Sequence, residues 1–130
     1  MVVRILHADD EAFILSLSSS VLGSEGYEVL QAHDGQEAVD IARKGGLDLI
    51  LMDMKMPNKD GMSAIEEIRN FSKNIPIVII SAYIAAELKQ KASNFNCAYL
   101  LKPYRCEELV GTVKQILERN SPNPAPVEFS

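Results

Sequence analysis

No stretch of these 130 residues approaches the roughly 20 apolar residues of a membrane span, and the N-terminus lacks a signal peptide's basic segment, apolar core and cleavage site. A cytoplasmic protein is expected. Cysteine is scarce: Cys97 and Cys106 are too few for a disulfide framework and lack metal-site spacing, so both read as free thiols. Basic side chains are outnumbered, 13 against 18 acidic, for a net charge of −5. That balance argues against nucleic-acid binding by the domain itself, since phosphate neutralisation needs clustered Lys and Arg. The Gly-x-x-x-x-Gly-Lys-Ser/Thr signature of P-loop nucleotide hydrolases is missing, and no internal repeat is visible.

What is present is ordinary in bulk, 47% hydrophobic and 24% charged, and the length suits one domain with a real core. Strand-like and helix-like segments alternate throughout. Val2 to Ala8 reads as a strand, followed by a helix from Glu11 to Ser24 with Ile14, Leu17, Val21 and Leu22 on one stripe and serines opposite. Tyr27 to Ala32 is strand-like, and Asp34-Gly35 opens a helix with Ala38, Ile41 and Ala42 inward. Leu47 to Asp53 is the third strand. Asp60-Gly61 leads a helix with Met62, Ile65 and Ile68 spaced for burial, Asp60 being a helix-start residue rather than a ligand.

Pro76 introduces a fourth strand through Ser81, and Ala85 to Phe95 is a weaker helix anchored by Leu88 and Ala92. Cys97 to Leu101 is the fifth strand. A last helix from Arg105 to Arg119 buries Leu109, Val113, Ile116 and Leu117. Strands one, three and four are nearly continuous in apolar residues, as in parallel sheets covered on both faces. The pattern predicts a three-layer α/β/α domain over residues 1–120, with a disordered Pro-rich tail or linker start at 121–130.

Chemistry gathers at the strand ends. Asp9-Asp10 closes the first strand, Asp53 the third, Ser81 the fourth and Lys102-Pro103 the fifth. Ligands of open parallel sheets bind outside the carboxyl ends of strands, where strand order reverses; the order 2-1-3-4-5 would set all four ends around one crevice, though other windings also fit the sequence. Three carboxylates there repel by roughly 4 kcal/mol per pair at about 4 Å and an effective dielectric near 20. Lys102 supplies one counter-charge, and a hard cation such as Mg²⁺, content with one or two carboxylates plus water and phosphate oxygens, fits the rest. Asp10 and Asp53 are the candidate direct ligands, with Asp9 acting through water. Asp53 is then placed to act as a nucleophile that forms an acyl phosphate, with Lys102 neutralising charge and the Ser81 hydroxyl donating to a phosphoryl oxygen.

From about Val3 to Leu117 the chain resembles a receiver domain of two-component response regulators. The resemblance rests on Ala8-Asp9-Asp10-Glu11, Met52 through Gly61, Ser81-Ala82-Tyr83 and Tyr99 through Tyr104, in order. It implies a flavodoxin-like (βα)5 fold with a five-stranded parallel sheet of order 2-1-3-4-5. It also implies phosphorylation of Asp53 by a histidine kinase or phosphotransfer protein, a Mg²⁺ site completed by the backbone carbonyl of Lys55, and a cis Lys102-Pro103 bond. Ser81 and Tyr99 would form the switch, altering the face made by the fourth helix, fifth strand and fifth helix toward a target protein or fused effector. Such a domain is no turnover enzyme, since it acts only on its own aspartate. A phosphorylation-dependent homodimer is a further expectation, although Cys97-Ala98 stand where many DNA-binding members carry acidic dimer residues, which argues against that mode.

Other departures are local. His7 occupies a usually aliphatic strand position and reads as a hydrogen-bonded structural residue. Phe95-Asn96 replaces a frequent Gly-Ala and predicts unusual loop geometry. Lys55 and Tyr83, two residues past Asp53 and Ser81, would flank the path of hydrolytic water or else be solvated side chains. Asp34, Asp40 and Asp48 read as surface charges. A haloacid-dehalogenase-type phosphatase would carry a second acid at position 55, which is lysine, and a flavodoxin-type carrier would not place Asp9-Asp10-Glu11 against FMN phosphate. The rival is a degenerate receiver acting as a phosphate-independent interaction module.

Overall fold

The structure, a computed structural model, describes residues 2–119; the expected Pro-rich tail lies outside the described residues. Strands β1 (Arg4–Ala8), β2 (Glu28–Ala32), β3 (Leu49–Asp53), β4 (Ile77–Ser81) and β5 (Ala98–Leu101) alternate with helices α1 (Ala12–Gly23), α2 (Gly35–Arg43), α3 (Gly61–Phe71), α4 (Ala86–Asn94) and α5 (Cys106–Arg119). The strands pair in parallel in the order β2-β1-β3-β4-β5. This is the flavodoxin-like (βα)5 arrangement, with the reversal of strand order between β1 and β3. No helix among the described residues is long and apolar enough to cross a membrane.

Side-chain alternation along the strands builds two cores. Leu6, Ile50, Met52, Ile77 and Ile79 pack against α2, α3 and Ala92 of α4. Ile5, Leu49, Leu51, Val78 and Ile80 point the other way, toward Leu22 of α1 and Leu109, Val113 and Ile116 of α5. Every residue of β3 is buried, as its continuous apolar run requires. Each such leucine or isoleucine contributes about 2 kcal/mol relative to exposure.

The inner face of α1 differs from the expected stripe. Leu15, Ser18 and Leu22 are buried, whereas Leu17 is exposed and Ile14 and Val21 are only partly covered. Opposite Ser18 stands His7 of β1. It is fully buried and shares a 2.6 Å hydrogen bond with Ser18 Oγ, so a serine occupies a core position that hydropathy assigns to its neighbours. In α2 the second inward residue is likewise Val39 rather than Ile41, which is partly buried.

Arg69 of α3 is buried with a guanidinium that meets carbonyls instead of an acid. Its Nε donates to Phe95 O at 2.8 Å, Nη1 to Ile75 O at 2.8 Å and Ser72 O at 3.1 Å, and Nη2 to Asn96 O at 3.3 Å. The α4–β5 turn does have the special geometry its residues suggested: Asn96 adopts φ +55° in the left-handed region. At its other end α4 starts from Ala85, which offers no side-chain cap, and only Ala92 of this helix is fully buried.

Candidate functional site

Two parallel strands deliver the acids to one edge of the sheet. β1 ends one residue before Asp9, and β3 ends on Asp53. Carboxylate oxygens of Asp9, Asp10 and Asp53 all lie within 4.8 Å of one another. Asp9 and Asp53 are buried, while Asp10 is open to solvent. Lys102, following β5, puts its ammonium 3.0 Å from Asp53 Oδ1 and 3.5 Å from Asp9 Oδ2. The Lys102-Pro103 bond that follows is cis.

Local chemistry holds these groups in place. Asp9 Oδ1 accepts from Glu11 N at 2.9 Å, whereas its buried Oδ2 has no hydrogen-bond donor and its nearest cation is Lys102. Beyond Asp53, Gly61 N donates to Met54 O at 3.0 Å, and a Cβ at position 61 would overlap the Asp53 carbonyl. Asp60 caps α3 by accepting from Ser63 N at 2.8 Å. The Asp60-Gly61 pair thus starts the helix and lets it approach the back of Asp53.

Burial pushes the Asp53 carboxyl above its usual range, and the Asp9 charge adds to this, against the hydrogen bond from Lys102. Burial alone would pull Lys102 down, but Asp53 and then Asp9 outweigh it and hold the ammonium above its ordinary value. Tyr104 beside the site is pushed up by burial and by Asp9. Three carboxylates and one ammonium leave a deficit of positive charge, and Asp9 Oδ2 is a buried acceptor without a hydrogen-bond donor. An all-oxygen, acidic, partly open set of this kind fits a hard divalent cation.

Of the sequence-predicted residues, Asp9, Asp10, Asp53 and Lys102 converge. Lys55 follows in the Met54–Asp60 loop with its side chain exposed. Ser81 does not face the acids through a hydrogen bond: its Oγ donates to Tyr83 O at 2.9 Å, while its carbonyl accepts from Lys102 N at 2.8 Å. Tyr99 is 46% exposed and Tyr83 76%. Asp34 and Asp48, read as plain surface charges, have structural partners. Asp34 caps α2 through Glu37 N and accepts from Asn58, and Asp48 accepts from Arg4 N. The contacts of Arg69 with Phe95, Ser18 with His7 and Asn58 with Asp34 have no local signal in the sequence, since each joins residues far apart along the chain.

The chain matches the model of the response regulator receiver domain over residues 5–114. It is 40% identical over 119 residues to the transcriptional regulatory protein PdtaR of Mycobacterium tuberculosis, covering 89% of this chain and 57% of that protein. Sporulation initiation phosphotransferase F of Bacillus subtilis is 33% identical over 119 residues, covering 91% of this chain and 96% of that one. Among solved structures, the chemotaxis protein CheY4 of Vibrio cholerae superposes with a TM-score of 0.84 at 31% identity, over 89% of this chain and 99% of that chain. This chain thus spans little more than half of PdtaR but nearly the whole of the other two proteins. With its acid cluster, lysine and strand order in their places, the chain belongs to the response regulator receiver domains of two-component signalling systems.

Proposed function

We propose that Asp53 takes a phosphoryl group from the phosphohistidine of a histidine kinase or phosphotransfer protein, and that the resulting acyl phosphate switches the surface of α4, β5 and α5 toward a partner or an effector. The observation that carries this reading is the buried Asp53 carboxylate, 3.0 Å from the Lys102 ammonium and clustered with Asp9 and Asp10. A carboxylate oxygen of Asp53 attacks phosphorus and the phosphorus–nitrogen bond of the donor breaks; the donor ring, already carrying a proton on its other nitrogen, takes the bonding pair and leaves as neutral imidazole. Lys102 neutralises charge that builds on the transferring oxygens. Asp9, Asp10 and Asp53, with the backbone carbonyl of Lys55, would hold Mg²⁺, which supplies further charge neutralisation when bound.

The exposed Phe13 and Leu17 lie one turn apart on α1, which begins two residues after Asp10. They suit the apolar contact surface of a protein donor. The switch reading rests on Ser81 and Tyr99. The Ser81 hydroxyl, now on Tyr83 O, would exchange that acceptor for a phosphoryl oxygen, and the exposed Tyr99 ring on β5 would turn inward. Phosphate biases the two arrangements by its differential contacts with them.

The test is intact mass after incubation with Mg²⁺ and a small acyl-phosphate donor. Wild type is expected to gain one phosphoryl group and Asp53→Asn none. A gain that persists in Asp53→Asn sinks the acceptor assignment. No gain in wild type from either the small donor or a cognate kinase supports the phosphate-independent interaction module.

A further inference from the structure

The loop that leaves Asp53 is fastened to the neighbouring helices. Asn58 sits in this loop with φ +66°, and its Nδ2 donates to Asp34 Oδ2 at 2.7 Å. The other oxygen of Asp34 accepts from Glu37 N at 2.8 Å and caps α2, so one carboxylate serves helix and loop together. One residue further along each segment, Gly35 N donates to Lys59 O at 2.9 Å. The approach is close enough that a Cβ at position 35 would overlap the Lys59 carbonyl. Lys59 Nζ reaches Glu67 Oε1 of α3 at 2.6 Å. The Glu37 N–H and then the Asn58 amide also hold the Asp34 carboxyl below its usual range, as donors to its charged form would.

A short surface turn has no need of such fastening for its own sake, since loops tolerate motion. This one carries Lys55 and runs directly from the phosphoacceptor. We propose that Asp34 and Asn58 are positioning residues for the acid site. Their hydrogen bond straps the Met54–Asp60 loop into one conformation, so that cation uptake at Asp9, Asp10 and Asp53 does not have to order it. The gain is one of preorganisation, because a loop already fixed loses little entropy when its ligand arrives. This inference rests on the Mg²⁺ reading of the site given above.

The experiment titrates Mg²⁺ alone into the full chain by calorimetry and follows hydrogen exchange of the Gly35 amide without metal. Asp34→Ser keeps a helix cap but drops the strap, and Asn58→Gly drops it while keeping a residue suited to the left-handed region. Each is expected to weaken Mg²⁺ binding about three- to tenfold, as for one charge-assisted hydrogen bond, and to speed Gly35 exchange. The double variant should bind no more weakly than either single one. Asp34→Asn, whose amide can pair with a flipped Asn58, should restore affinity to within about twofold of wild type. Unchanged affinity in both single variants, or losses that multiply in the double, would overturn the strap. A wild-type chain that takes up no Mg²⁺ overturns the reading of the acid site, and the strap with it.

Discussion

The Lys102 ammonium and the Asp53 carboxylate form a 3.0 Å ion pair across the carboxyl edge of the sheet, with Asp9 facing the same nitrogen. Replacing Lys102 with methionine keeps its apolar stem and removes the charge. Phosphorylation of Asp53 by a small acyl-phosphate donor should slow about 100-fold, the scale of losing one group aimed at developing oxygen charge. Rates measured by quenched intact mass check this, and a rate within threefold of wild type would remove Lys102 from the chemistry.

His7 should make stability pH-dependent. Burial lowers its pKa from 6.5 to about 4, with Asp9 opposing and Lys102 assisting. Its Nε2 has no acceptor, so a second proton finds no partner inside the fold. The unfolded chain therefore binds the proton first. Stability is fully present above pH 6.5, declines as pH falls through that value, and stops declining near pH 4. The total is about 3 kcal/mol. Asp53, raised by burial, works in the opposite direction at acid pH. Urea melts of wild type and His7→Leu in chelator, from pH 7.5 to 4, should differ by this slope, and parallel curves would refute it.

Two glycines should respond oppositely to alanine. Gly61→Ala drives a methyl group into the Asp53 carbonyl and should cost about 1–3 kcal/mol while slowing phosphorylation. Gly111 of α5 has open space where its Cβ would lie, so Gly111→Ala should stabilise by about 0.5–1 kcal/mol. Denaturant midpoints decide both.

Arg69→Met fills much of the same volume but leaves the carbonyls of Ser72, Ile75, Phe95 and Asn96 without this donor. A loss of about 3 kcal/mol is expected. Arg69→Lys should recover only part of it, because one ammonium cannot reproduce the planar fork. Equal stability of the two variants would contradict that geometry.

Much of this molecule could be read before its structure was known. Apolar runs ending in Asp9, Asp53, Ser81 and Lys102 located the strands, because a doubly covered sheet leaves its chemistry at the ends. Asp60 and the stripe of Leu109, Val113 and Ile116 were equally local signals. What escaped were polar residues used inside or between elements. Ser18 pairs with His7 across 11 positions, Asn58 with Asp34 across 24 and Arg69 with Phe95 across 26. Hydropathy sorts each of these as surface. Only the partner, brought near by the fold, reverses that assignment.

Arg69 grips the turn at the tail of α4, while the head of the helix, rooted at Ala85, has no cap and little burial. A rod pinned at one end and loosely seated at the other swings more readily than it slides. The head lies just beyond the Ser81–Tyr83 hydroxyl contact. If the Ser81 hydroxyl changed acceptor, the uncapped head of α4 would yield to it before the tail that Arg69 holds.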